Sequence, residues 1–164
     1  MKRAVVPGTF DPPTSGHLDI IQRASNLFSE VVVGVAASTG KNGYGPVFTS
    51  DERVSLVEAS VAHLPNVTVD RFDNLLVEFA KSHGASVIVK GLRAVTDFEH
   101  EFQMAALNYR LDPDVETVFI MSAPEYMYLS SSAVKEIVRH GGSPVGLVPP
   151  QVEASVTSRL RGAI

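Results

Sequence analysis

The sequence predicts an α/β fold, an open sheet of about five parallel strands with helices on both faces. Two observations carry this. Short Val- and Ile-rich runs alternate along the chain with segments of helical periodicity. The runs are apolar at consecutive positions, as suits strands covered on both sides, rather than at every second position. The candidate strands are 3–6, 31–36, 67–71, 86–89 and 117–121.

The helices follow in order. Residues 17–28 carry Leu18, Ile21, Ser25 and Phe28 along one stripe, and residues 50–64 carry Val54, Val57, Val61 and Leu64. Thr49-Ser50-Asp51-Glu52 has the spacing of a capping box that starts the second of these. Residues 74–83 present Leu75, Leu76, Phe79 and Ala80, with Gly84 as the stop. Residues 97–110 place Phe98, Phe102, Ala105 and Tyr109 on one side. Residues 131–140 form a fifth helix ended by Gly141-Gly142. A last one begins after Pro149-Pro150 and faces inward with Val152, Val156 and Leu160.

The 164 residues suit one domain, 1–164. With 45% hydrophobic and 20% charged residues the composition is that of an ordinary globular protein. A formal net charge of −4 speaks against a general nucleic-acid binder, while leaving room for a small anion held by a few local cations. The absence of cysteine removes disulfides and thiolate metal sites. The apolar run near the start is broken by Pro7 and is too short for a signal peptide, and no stretch approaches a membrane span. A cytoplasmic, membrane-free protein is expected.

Three segments carry the chemistry. Residues 7–17, PGTFDPPTSGH, join the first strand to the first helix. Gly8 and Gly16 permit tight turns, Pro12 and Pro13 stiffen the loop, and Thr14 or Ser15 can cap the helix. Free N–H groups and the positive end of the helix dipole then face the loop, which makes a phosphate site. Neither GxxxxGK[ST] nor GxGxxG occurs here. His17 lies in that first turn, where a histidine can be a simple cap or can touch a bound phosphate. Val89-Lys90-Gly91-Leu92-Arg93 ends the fourth strand, and Asp97-Phe98-Glu99-His100-Glu101 opens a helix. Two cations flanking a glycine at a strand's C-terminal end stand where open α/β sheets bind ligands. Tyr128-Leu129-Ser130-Ser131-Ser132-Ala133-Val134-Lys135 ends in a serine run that can cap a helix and cradle an anion. The glycine-rich stretch 38–46 also follows a strand end and contains Lys41.

The run Gly8-Thr9-Phe10-Asp11-Pro12…Gly16-His17 resembles the [TH]xGH signature of the nucleotidylyltransferase superfamily, whose aminoacyl-tRNA synthetase relatives carry HIGH. KGLR…DFEHE and SSSxxK are similar to the [RK]GLR…DFEYE and serine-rich segments of phosphopantetheine adenylyltransferases, and the likeness spans nearly the whole chain. The resemblance implies a Rossmann-like fold and transfer of AMP from ATP to 4′-phosphopantetheine, giving dephospho-CoA and pyrophosphate. It implies that His17 stabilises the transition state at the α-phosphate. ATP would be bound by Thr9, Phe10, His17, Gly91, Leu92, Arg93, Glu101, Tyr126, Met127, Tyr128, Leu129, Ser130, Ser131 and Ser132. Thr9, Lys41 and Lys90 would hold the acceptor's phosphate, with Lys41 and Lys90 counted with His17 as catalytic, and Leu76 would pack on the pantetheine arm. Asn108 would line the same channel and Arg139 would meet an anion. Mg²⁺ would travel with ATP, with no metal held by the protein alone. Coenzyme A would act as a feedback inhibitor, and the assembly would be a homohexamer.

Two departures stand out: His100 replaces a usual tyrosine, and the loop 42–47 is longer than in many relatives. The alternatives are another nucleotidylyltransferase, with a nicotinamide mononucleotide or cytidylyl specificity, and a sensor that binds nucleotide without turnover.

Overall fold

The computed structural model describes residues 2–37, 46–93 and 95–162, with the side chains of 95–97 not described. Five strands, β1 (Arg3–Gly8), β2 (Glu30–Ala36), β3 (Val67–Phe72), β4 (Val87–Leu92) and β5 (Glu116–Met121), form one parallel sheet in the order β3-β2-β1-β4-β5. The helices are α1 (Ser15–Leu27), α2 (Ser50–Val61), α3 (Leu76–Ser82), α4 (Val95–Leu111), α5 (Ser131–Arg139) and α6 (Pro150–Arg161), with a 3₁₀ turn at Pro124–Tyr126.

Side chains alternate across the sheet and bury on both faces of the three central strands. Ala4, Val6, Val31, Val33, Val35, Val87 and Val89 enter one core with α1 and α2. Val5, Val32 and Ile88 enter the other with Val77, Phe79 and Ala80 of α3. Uninterrupted apolar runs are what two-sided burial demands. The outer strands differ. β3 alternates between partly buried and exposed positions, and β5 leaves Val118 and Met121 open, because an edge strand is covered less completely. A third cluster joins α5 and α6 through Val134, Val138, Val152, Val156 and Leu160, closed by Phe48 and Val148.

Three helices correct the periodicity reading. α1 buries Ile20, Ile21 and Ala24, while Leu18 and Phe28 pack at the border and Ser25 is only partly buried, so the inward stripe is rotated from the expected one. α3 starts at Leu76, leaves Leu75 exposed, and turns Val77 inward in its place. The aromatic side of α4 faces outward: Phe98, Phe102 and Tyr109 are about half exposed. Apolar spacing marks a stripe to be covered, but does not say by what. Thr49 and Glu52 do form the capping box, and Gly84 and Gly141 adopt left-handed backbone where α3 and α5 end.

Strand order creates the opening that the site uses. β1 pairs with β2 along its whole length, and β4 likewise with β5. Between β1 and β4 the register covers only Ala4↔Val87 and Val5↔Ile88. Beyond these the two strands part, and Pro7, with no N–H to donate, lies in the stretch that has separated. This is where the order of strands reverses, the position at which open α/β sheets form a crevice.

Candidate active site

A cleft of about 560 Å³ lies at that switch point. Its walls are the separated ends of β1 and β4, the start of α1, and the serine turn before α5. It gathers Thr9, Phe10, His17, Lys90, Gly91, Arg93, Glu101, Leu129, Ser130, Ser131 and Ser132. Leu92 is buried just behind, at 6% exposure. Tyr126, Met127 and Tyr128 flank the cleft without lining it; Tyr126 lies against Gly16 while Tyr128 projects almost wholly into solvent. Leu76 packs against the core beneath α3 and is not among the cleft's lining residues. Lys41 lies outside the described residues. Asn108 is buried in α4 and Arg139 ends α5, both off the cleft wall.

His17 is fixed from several sides. Thr14 caps α1, and its hydroxyl accepts from the His17 backbone N–H at 3.2 Å. In return the Thr14 N–H donates to His17 Nδ1 at 3.0 Å. A backbone amide can only donate, so Nδ1 must be the lone-pair nitrogen and a neutral ring carries its proton on Nε2. The ring also meets Phe10 edge-on, 5.0 Å between centroids. Burial first, and the Arg93 charge second, push the imidazole pKa down to about 4. At neutral pH the cleft therefore holds an uncharged histidine with an N–H donor.

That shift predicts a pH dependence of stability. Below its ordinary pKa of 6.5 the unfolded chain protonates His17 while the folded chain does not, until about pH 4. Stability is thus full above pH 6.5 and falls as pH drops through this window, by roughly 3 kcal/mol in total. Urea unfolding of the native chain and of His17→Gln at pH 7 and pH 4.5 measures it. Equal pH losses in the two proteins would refute the assignment.

The cations are arranged around this donor. Lys90 Nζ lies 3.2 Å from Glu101 Oε2, a buried oxygen that makes no hydrogen bond, so the contact is an ion pair without hydrogen-bond alignment. Arg93 donates to the Leu129 carbonyl at 2.9 Å and ties the end of β4 to the serine turn. Ser130 caps α5 by accepting from the Ala133 N–H at 3.1 Å, and Ser131 donates to the Pro12 carbonyl at 2.8 Å. A helix N-terminus, hydroxyl groups and two cations thus converge on one crevice, which suits a polyphosphate. Two glycines make the close approaches possible. A Cβ on Gly8 would stand 2.7 Å from the Phe10 ring, and one on Gly91 would stand 2.9 Å from Ile20.

The sequence motifs left some participants without a role. His100 and Ser122 line the cleft. Asp11 and Arg53 are buried beneath the first loop. Asp11 stood in plain view within the motif. Arg53 belongs to the stretch Phe48-Thr49…Glu52-Arg53 that shares in the resemblance, but its burial could not be read there, since an arginine in the first turn of an amphipathic helix ordinarily faces water.

Among the described residues no group of three or more His, Cys, Asp or Glu side chains could hold a metal, and no helix is long and apolar enough to cross a membrane.

A switch-point cleft with a helix N-terminus that suits a phosphate and a neutral histidine fits an α/β nucleotidyltransferase, and the sequence model of the cytidylyltransferase-like family matches residues 5–137. A phosphopantetheine adenylyltransferase from Clostridium botulinum is 49% identical over 161 residues, covering 98% of this chain and 99% of that one. Another from Alkaliphilus oremlandii is 50% identical over 160 residues, covering 98% and 100%. The chain belongs to the phosphopantetheine adenylyltransferase family. Solved structures share the fold at low identity. One described as a putative nicotinate-nucleotide adenylyltransferase from Vibrio parahaemolyticus superimposes with a TM-score of 0.67 at 19% identity, covering 95% of this chain and 99% of that one. A lipopolysaccharide core biosynthesis protein from Thermoplasma volcanium gives 0.57 at 24%, covering 75% and 98%.

Proposed function

We infer that this chain transfers the adenylyl group of ATP to 4′-phosphopantetheine, giving dephospho-CoA and pyrophosphate in the synthesis of coenzyme A. The observation that carries this is the match, about half identical and nearly full length, to relatives named for that activity. The chemistry of the cleft agrees with it.

The acceptor's phosphate is already an anion at neutral pH, so no strong general base is needed. One of its oxygens attacks the α-phosphorus, a new P–O bond forms, the α–β bridging P–O bond breaks, and pyrophosphate leaves with the electron pair. Such transfer proceeds by positioning and charge stabilisation. Nε2–H of His17 donates to an equatorial oxygen of the transition state. Thr9, Lys90 and, beyond the described residues, Lys41 orient the attacking phosphate. Arg93, Glu101 and the turn Ser130–Ser132 hold the nucleotide. Mg²⁺ would arrive on the phosphates of ATP and neutralise part of their charge there.

The half-exposed aromatic face of α4 and the uncovered β5 edge support self-association, and we assign them to contacts within a homohexamer. Coenzyme A, which combines the acceptor's phosphopantetheine arm with an adenine nucleotide like that of ATP, is the expected feedback inhibitor. The cytoplasm, where ATP is abundant, is the expected compartment.

Purified protein given Mg²⁺-ATP with either 4′-phosphopantetheine or nicotinamide mononucleotide tests the reading through pyrophosphate release, with the product identified by mass. Release with phosphopantetheine alone is expected. Release only with the mononucleotide would transfer the chain to the rival specificity, and nucleotide binding without release would favour a sensor.

A further inference from the structure

Phe10 adopts a backbone angle that a bulky residue seldom takes. Its φ is +52°, in the left-handed region, and the residue is 2% exposed. Such a conformation persists only where the surroundings over-determine it. Both flanks of Phe10 are anchored. On one side Arg53, fully buried, donates through Nη1 to the Thr9 carbonyl at 2.7 Å. On the other side the Asp11 carboxylate, itself 5% exposed, accepts from the Phe48 N–H at 2.9 Å and the Val47 N–H at 3.0 Å. Lys135 of α5 adds a 3.0 Å ion pair to the same carboxylate. The peptide units before and after Phe10 are therefore pinned to the β2-to-α2 connection and to α5. The ring so fixed folds back over Gly8 and meets the His17 imidazole edge-on.

We propose that Asp11 is a positioning residue for adenylyl transfer. With Arg53 it holds the Phe10 backbone, and the Phe10 ring sets the orientation of His17. Asp11 touches neither substrate nor reacting atoms in this account. Its influence passes through one aromatic contact to the donor that must meet the developing charge. The proposal rests on the role of His17 given above.

Asp11→Asn keeps the size of the side chain but offers one acceptor oxygen where two N–H groups and an ammonium now converge. The expected result is a kcat lowered on the order of 10- to 100-fold, as small misplacements of catalytic groups produce, with the KM for ATP within about twofold. The NMR signals of the His17 ring should shift at the same time, a readout that a role confined to stability would not move. An unchanged kcat in folded protein overturns the proposal. So does a kcat loss with the His17 signals at their native positions, since Asp11 would then act by another route. If Asp11→Asn does not fold, Arg53→Lys replaces it. The shorter ammonium cannot reproduce the guanidinium contacts, and the same paired change in kcat and ring signals is expected, with the same two outcomes against it. Should the role of His17 itself be wrong, removal of its ring would leave kcat unchanged, which separates that failure from this one.

Discussion

His17→Ala should lower kcat by about 10²–10³ while leaving ATP binding nearly as it is. The size follows from the loss of one preorganised donor at the point where charge develops. The selectivity follows from the geometry. The ring is held by the Thr14 amide and by Phe10 before any ligand arrives, so its donor is positioned without a reorganisation step. The groups proposed to hold the nucleotide, Arg93 and the Ser130–Ser132 turn, stand on different elements and survive the change. The substitution also removes half of a capping box, which costs about 1 kcal/mol. Rates should therefore be compared at a temperature where urea titration shows both proteins folded. Steady-state kinetics in both substrates decides the matter. A variant turning over at near the native rate would remove His17 from the mechanism, and a rise in the KM for ATP with intact kcat would make it a binding residue only.

The second large effect concerns stability. Arg53→Met should destabilise the fold by about 3–5 kcal/mol, a large part of the 5–15 kcal/mol that holds a typical domain together. The Arg53 guanidinium is enclosed and donates to four carbonyls: Thr9 at 2.7 Å, Ala36 at 2.8 Å, Phe48 at 3.2 Å and Ala37 at 3.3 Å. Burial pulls its pKa below the usual arginine value and the Asp11 charge opposes this. Methionine fills much of the volume but satisfies none of the four oxygens, and buried acceptors without partners carry the penalty. The midpoint of urea unfolding measures it. A loss below about 1 kcal/mol would mean that water reaches these carbonyls and that the arginine is not a structural clamp.

Much of this was legible in the sequence. The Val-rich runs predicted five parallel strands because two-sided burial leaves no polar positions in the central ones. The Thr49…Glu52 spacing predicted a helix start, since a capping box is closed by residues three apart. The first motif placed His17 in the first turn of α1, and the structure finds it there. Local chemistry with local partners can be read directly.

What could not be read depends on partners distant in the chain. The stripe on α1 is legible in part: Leu18, Ile21 and Phe28 do turn toward the core, but Ser25 suits helical spacing as well as Ala24 does, and only the sheet beneath decides which of them is fully buried. The aromatic side of α4 has the pattern of a core face, yet among the described residues it is covered only in part: Phe98 meets Phe119 of β5, while Phe98, Phe102 and Tyr109 stay about half exposed. The burial of Arg53 is not legible in the sequence, because its carbonyl partners come from the first loop, the end of β2 and the approach to α2.

The sequence by itself determined the elements, the parallel class of the sheet and the motifs that meet at the cleft, since each rests on local spacing and backbone preference. The tertiary structure alone decided the order β3-β2-β1-β4-β5, and hence where β1 and β4 part to form the cleft. It also decided the proton's place on His17 and the burial of Asp11 and Arg53 beneath Phe10. Those features arise from hydrogen bonds and packing between segments far apart in the chain, which only folding brings within reach of one another.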